Sequence, residues 1–188
     1  MQKLSQEDFV AKLKNLKLLS VDADGTLTDG GIYIDNNGNQ LRKFYAQDGV
    51  GIRMIQELGI KVVLLTTSQE KVFSIRSEIL SCDSYISGCF NKGEALEKLC
   101  NEQNISLENT IHMGDDINDI SAFLKVGLPV AVNNAVPVVK EVCKYVTKSD
   151  GGKGAVREVC DLITIAKTGY PFSQPYVSEE VYKKLITK

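Results

Sequence analysis

Short, continuously apolar runs recur along this chain, each followed by a stretch whose apolar residues repeat at helical spacing. The runs fall at 16–21, 60–65, 110–113, 128–132 and, briefly, 144–146. The helical sets are Val50, Met54 and Leu58; Val72, Ile75 and Ile79; Leu96, Leu99 and Cys100; Ile117, Ile120 and Leu124; and Val156, Val159 and Ile163. A strand that is apolar on both faces must be covered on both, and strands separated by helices pair in parallel. The expected fold is therefore α/β, a doubly wound parallel sheet. The 188 residues suffice for one such domain, placed at 1–167, with 168–188 as a tail interrupted by Gly169, Pro171 and Pro175. Tyr170, Phe172 and Tyr176 in that tail predict docking on another surface, and a short helix is expected from Ser178.

One segment breaks the alternation. Residues 31–45 read as two strands around Asn36-Asn37-Gly38-Asn39, and Asn-Gly is a tight-turn signal. Ile32 and Ile34 are expected on one face, opposed across the turn by Leu41. A lone two-stranded hairpin is marginal in water. That face needs a partner, either a second copy of the chain or the body of its own domain.

Composition narrows the function. Hydrophobic residues make up 43% and charged residues 24%, which excludes global disorder. With 22 basic and 24 acidic side chains the net charge is −2, so nothing draws the chain generally to nucleic acid or to an anionic membrane. No apolar stretch approaches the roughly 20 residues of a membrane helix, and residues 2–17 are charged rather than signal-like; a cytoplasmic location is expected. Cys82, Cys89, Cys100, Cys143 and Cys160 form no CxxC and are odd in number, which predicts free thiols. His112 is the single histidine and is assigned to a strand interior, so catalysis must rest on carboxylates, hydroxyls and lysine.

Carboxylates gather in two places. One apolar run leads into Asp22-Ala23-Asp24-Gly25-Thr26, another into Gly114-Asp115-Asp116-Ile117-Asn118-Asp119. Doubly wound sheets bind ligands beyond the carboxyl ends of their strands, and these distant loops can meet there only if their strands are neighbours. Converging, they make an oxygen-rich cluster of the kind that holds Mg²⁺. Only one of Asp22 and Asp24 is expected to follow the strand's inward direction. A cap or turn role competes for any single Asp; it accounts for Asp48, ahead of the helix near Val50, better than for Asp22. Thr66-Thr67-Ser68 offers hydroxyls and N–H groups at an expected helix start, suited to anionic oxygen. Lys92 begins the next helix, where the helix dipole disfavours a cation unless it has an anion to neutralise.

In order and spacing, Asp22-x-Asp24-Gly25-Thr26, Thr66, Lys92 and Gly114-Asp115-Asp116-x-x-Asp119 resemble the four motifs of the haloacid dehalogenase superfamily, across nearly the whole domain. The resemblance implies that Asp22 is a nucleophile forming an aspartyl-phosphate. It implies that Asp24 protonates the leaving alkoxide and then activates water, with Thr66 and Lys92 completing the catalytic set. Mg²⁺ would be held by Asp22, the backbone carbonyl of Asp24 and Asp115, with Asp116 and Asp119 orienting that shell. Members that are dehalogenases or ion-pumping ATPases lack a carboxylate at the position of Asp24, so its presence implies a phosphatase. Only a hairpin separates Asp24 from the first helix after it, and 67–91 has room for one helix and a short strand, so the site is expected to be capless.

At finer grain the chain resembles the 3-deoxy-manno-octulosonate 8-phosphate phosphatases and their relatives acting on nine-carbon, sialic-type sugar phosphates. The matching stretches are Asp29-Gly30-Gly31-Ile32-Tyr33 with Asn37-Gly38, Phe44 through Arg53, and Gly151 through Glu158. Those enzymes are capless tetramers whose hairpins form a central barrel and whose C-terminal segments reach an adjacent active site. The resemblance implies a homotetramer, and substrate contacts at Asp24, Tyr45, Ala46, Gln47, Asp48, Gly49, Arg53, Arg76 and Lys92. The alternative for Arg53 and Arg76 is a place on the surface of their helices. After Thr66 the octulosonate enzymes carry Gly-Arg, and some nonulosonate 9-phosphate enzymes a glutamate at the arginine position; this chain carries Thr67-Ser68. An eight-carbon sugar-acid phosphate is the expected small-molecule substrate, with a nonulosonate 9-phosphate as the alternative. An open-site phosphatase for a macromolecule and a non-catalytic binding subunit are the remaining readings, and the paired Asp22 and Asp24 argue against the last.

Overall fold

The computed structural model describes residues 5–170 together with 177, 178, 180, 183 and 184. Phe172, Tyr176 and most of the helix expected from Ser178 lie outside the described residues. Helix α1 (Gln6–Asn15) leads into β1 (Leu18–Val21), followed by a hairpin of β2 (Tyr33–Ile34) and β3 (Gln40–Leu41). Then come α2 (Ala46–Glu57), β4 (Lys61–Leu65), α3 (Lys71–Ile79), β5 (Ser84–Ile86), α4 (Lys92–Glu102) and β6 (Thr110–Gly114). The chain continues through α5 (Ile120–Phe123), β7 (Leu128–Ala131), α6 (Pro137–Val142), β8 (Tyr145–Val146) and α7 (Ala155–Thr168).

Six strands form one sheet in the order β5-β4-β1-β6-β7-β8, and every pair is parallel. From β1 the chain winds outward through β4 and β5, then crosses back to β6 on the other side of β1. The carboxyl ends of β1, β4 and β6 therefore border the switch point, where such sheets bind ligands.

Strand alternation sorts the side chains onto two cores. Leu19, Val21, Val62, Leu64, Ile111 and Met113 join residues of α1, α2 and α7, while Leu18, Val63 and Leu65 join Leu96, Leu99 and Cys100 of α4. Ser20 alternates with Leu18 onto the α4 side, and its register partner on β6 is His112.

Three helix faces depart from expectation. In α2, Val50 is exposed while Ile52, Met54 and Ile55 are buried; in α3, Ile75 and Ile79 are exposed while Phe73, Ser77 and Leu80 are buried. After β6, Ile117 and Leu124 face outward and Ala122 and Phe123 are buried. Each segment carries two overlapping apolar stripes, and a period does not say which stripe the sheet takes. Residues 66–68 do not open a helix either, because α3 begins after Glu70. α6 has no counterpart in the expected pattern, its six residues being too few to display a period.

The hairpin stands off the sheet. Its turn is held by Asp35, whose Oδ1 accepts the N–H groups of Asn37 at 2.8 Å and Asn39 at 2.9 Å. A bridge between Thr28 and Phe44 ties its base. Tyr33 pairs with Leu41 and Ile34 with Gln40, so Leu41 shares a face with Tyr33 rather than with Ile32 and Ile34 as expected. Both faces are open: Ile32, Tyr33, Ile34 and Leu41 are 56%, 50%, 67% and 62% exposed. These side chains do not pack down on their own domain.

Candidate active site

Asp22 is the first residue beyond β1, and its N–H still donates to the Met113 carbonyl of β6 at 2.9 Å. The chain then turns at Gly25, with φ +83°. A Cβ on Gly25 would lie 2.0 Å from Asp115 Oδ2, so glycine is what lets the Asp115 carboxylate rest against this turn. The two acidic loops thus meet, as neighbouring strands require. Asp22 is buried, whereas the Asp24 side chain is 34% exposed. The turn separates them, not strand alternation, since residues two apart on a strand share a face.

Lys92, the first residue of α4, is fully buried and donates to two carboxylates, Asp22 Oδ1 and, at 2.6 Å, Asp119 Oδ1. Asp119 Oδ1 also meets His112 Nε2 at 3.0 Å, and its Oδ2 accepts the N–H groups of Asp115 and Asp116 at 3.1 and 3.3 Å. His112 Nδ1 lies 3.0 Å from Ser20 Oγ. With Asp119 ionised, Nε2 donates and Nδ1 accepts the serine hydroxyl. One carboxylate oxygen from each of Asp22, Asp115 and Asp119 lies within 4.8 Å of the others.

Burial pushes the Asp22 carboxyl up, Lys92 draws it back, and Asp119 and Asp115 raise it again; the net direction is up. Asp115 is raised to about 7 by burial and by the Asp119 and Asp116 carboxylates. Burial alone would raise Asp119, but its bonds to His112 and Lys92 outweigh that and hold it at about 2. Burial likewise works against the Lys92 ammonium, yet Asp22 and Asp119 together raise it. Burial lowers His112, so its imidazole is neutral at pH 7.

Residues 67–159 match the haloacid dehalogenase-like hydrolases. The 3-deoxy-D-manno-octulosonate 8-phosphate phosphatase of Escherichia coli K12 is 41% identical over 160 residues, which cover 85% of each chain. The solved structure of the Yersinia pestis enzyme of that name matches with a TM-score of 0.83 and 37% identity, over 86% of this chain and 87% of that one. The Moraxella catarrhalis enzyme, solved with magnesium ion, phosphate ion and KDO, matches with a TM-score of 0.85 and 33% identity, over 88% and 95% of the two chains. This chain belongs to the 3-deoxy-D-manno-octulosonate 8-phosphate phosphatase family of haloacid dehalogenase-like hydrolases.

Around the acidic core of this phosphatase the other expected residues fall into distinct places. Thr66 is buried at the end of β4, and its Oγ1 accepts the Ser68 N–H at 3.1 Å. Asp116 is exposed and caps the following turn: its side chain accepts the Ile117 N–H at 2.7 Å and, in a reciprocal capping box, the Asp119 backbone N–H, so it touches the cluster through Asp119. Asp48, Gly49 and Arg76 come together, with Arg76 5.0 Å over the Phe44 ring and its charge acting on the buried Asp48 carboxylate. Tyr45 lies against Gly154, while Ala46 and Gln47 are exposed. Arg53 is exposed, and its Nη2 meets the Ile79 carbonyl at the end of α3 at 3.4 Å. Two contributors carry no signal in the sequence. His112 is not simply a core histidine but a partner of Asp119, and Arg42 donates to Asp24 Oδ1 at 2.7 Å.

Proposed function

We propose that this phosphatase hydrolyses 3-deoxy-D-manno-octulosonate 8-phosphate to the free sugar acid and inorganic phosphate through an aspartyl-phosphate on Asp22, with Mg²⁺ as cofactor. The observation that carries the reading is the fully buried Lys92, bonded to Asp22 and Asp119 beside Asp115 at the switch point of the sheet. A buried ammonium tied to a nucleophile and to a second carboxylate is costly as a structural device. It is economical where a phosphate dianion must be received.

Lys92 holds Asp22 Oδ1 and so orients the carboxylate for attack. As the Asp22–phosphorus bond forms, the bond from phosphorus to the sugar oxygen breaks, and Asp24 delivers a proton to that oxygen. Water then attacks phosphorus and gives its proton to Asp24, and the Asp22 carboxylate is released with inorganic phosphate. Lys92 and the Thr66 hydroxyl meet the charge that builds on the phosphate oxygens. Arg76 is our choice for the sugar's carboxylate: its Nε is buried without a hydrogen-bond partner among the described residues.

Mg²⁺ fits these residues. Three clustered carboxylates face one ammonium with His112 neutral, an excess of negative charge that adds to burial in pushing Asp22 and Asp115 up. Hard oxygen donors and an uncompensated charge suit a small dication. Asp119 has both oxygens taken by hydrogen bonds, so Asp22, Asp115 and the Asp24 carbonyl would hold the ion. When bound, it supplies positive charge to the phosphate oxygens.

The reading includes a homotetramer and a cytoplasmic location. The open hairpin supports the first. Five free cysteines suit a reducing compartment, and no helix among the described residues is long and apolar enough to cross a membrane. The test is phosphate release from octulosonate 8-phosphate, nonulosonate 9-phosphates and simple hexose phosphates. The eight-carbon substrate should give the highest kcat/KM, Asp22→Asn should lose at least about 10³-fold in kcat with an unchanged unfolding midpoint, and chelation should stop turnover. Substantial Asp22→Asn turnover would refute the nucleophile, and a preferred nine-carbon substrate would refute the sugar.

A further inference from the structure

Arg42 follows an exposed hairpin strand, yet its side chain is only 2% exposed. Its Nε donates to Asp24 Oδ1 at 2.7 Å, Nη2 to Gln40 Oε1 at 3.0 Å and Nη1 to the Leu41 carbonyl at 3.2 Å. The guanidinium carbon lies 5.7 Å from the centre of the Phe73 ring, and Phe73 is itself fully buried. All three nitrogens are committed and the flat face is backed by core, so the group is locked in one orientation. Asp24, in contrast, is about a third exposed, and Arg42 is its one hydrogen-bonded side-chain partner among the described residues.

We infer that Arg42 is the positioning residue of the acid/base: it ties Asp24 Oδ1 and so presents Oδ2 as the oxygen that gives and then takes the proton. The inference rests on the role given to Asp24 above. That role requires one carboxylate oxygen to face the departing ester oxygen in the first step and the incoming water in the second. A partly exposed aspartate left to rotate would spend much of its time out of reach, and loss of alignment at a reacting group costs rate rather than binding. The competing account is that Arg42 only rivets the hairpin to Phe73. A rivet would act on stability and assembly, with no dependence on Asp24.

A double-mutant cycle separates the two accounts. Kinetics with octulosonate 8-phosphate and Mg²⁺ are measured for wild type, Arg42→Met, Arg42→Lys, Asp24→Asn and the Asp24→Asn/Arg42→Met pair, with unfolding midpoints for each. Arg42→Met should lower kcat about tenfold to a hundredfold, no more than the roughly 10²–10⁴ an acid/base contributes, with KM changed less than about threefold. Arg42→Lys, which keeps the charge without the fork, should recover part of the loss and remains informative if Arg42→Met folds poorly. In the Asp24→Asn background, Arg42→Met should lower kcat by less than about twofold further. Full wild-type kcat in Arg42→Met, multiplicative losses in the pair, or a loss confined to KM would each overturn the inference while leaving Asp24 as acid/base. Undiminished kcat in Asp24→Asn alone would overturn the role of Asp24, and the inference with it.

Discussion

Asp48 shows how one side chain can do work that its sequence position hides. Read as a cap for its own helix, it is instead the third residue of α2, whose N-cap Tyr45 supplies no side-chain bond. Its Oδ1 accepts the N–H of Arg157 in the first turn of α7 at 2.8 Å, so it caps a neighbouring helix and ties α2 to α7. Burial raises this carboxyl to about 6 against the pull of the Arg157 N–H and the Arg76 and Arg157 charges. Folded Asp48 therefore keeps its proton to a higher pH than in the unfolded chain, where it ionises near 4. Between those values the folded state binds more protons, so stability falls as pH rises through the window and levels off above it. Asp48→Asn keeps the acceptor and removes the ionisation. Urea unfolding should show the variant gaining about 3 kcal/mol on wild type between pH 4 and pH 7.5; parallel pH curves would refute the shift. Asp22, Asp24 and Asp115 were legible because each sits in a short motif after an apolar run, and Lys92 because it is a cation at a helix start. Arg42, Ser20 and His112 were not, because their roles come from a register and from contacts between segments far apart in the chain.

At the scale of elements, the alternation of apolar runs and helical repeats was enough to read the parallel sheet, since short strands apolar on both faces are stable only between two covering layers. Choosing a helix face was harder. Val72, Ile75 and Ile79 form as regular a stripe on α3 as Phe73, Ser77 and Leu80, and a small polar residue in the buried stripe hides the true one. The loop after β8 was legible as a matching stretch but not as a contact. A Cβ on Gly151 would fall 1.8 Å from the Gly25 carbonyl oxygen, and the Gly152 N–H donates to the Thr26 carbonyl at 3.1 Å. The loop lies directly on the turn that carries Asp24. Gly151→Ala must push that turn or be pushed by it. It should lower kcat at least about tenfold, with a stability loss of about 1–3 kcal/mol. Kinetics and thermal unfolding on the same preparation check this, and an unchanged kcat would mean that the loop yields without moving the turn.

For the whole molecule, the exposed hairpin is the feature that bears on assembly. Ile32, Tyr33, Ile34 and Leu41 are each at least half exposed, and fully burying such a side chain is worth roughly 1.5–3 kcal/mol. Ile75 and Ile79 of α3 are open as well. Among the described residues no separate cap domain stands over the acidic cluster; in the proposed homotetramer a second copy would supply both cover and substrate walls. Light scattering of the wild type should give four chain masses, and Ile34→Lys with Leu41→Lys, placing a charge on each hairpin face, should dissociate it. The catalytic consequence follows from which contacts are internal. Lys92 reaches Asp22 and Asp119, and Arg42 reaches Asp24, all within one chain, so the dissociated form retains its nucleophile and acid/base. The loss should therefore fall mainly on KM, by about tenfold or more, with kcat reduced much less. A wild type that runs as a monomer would remove the assembly. A dissociated variant with wild-type KM would show that one chain builds the complete site.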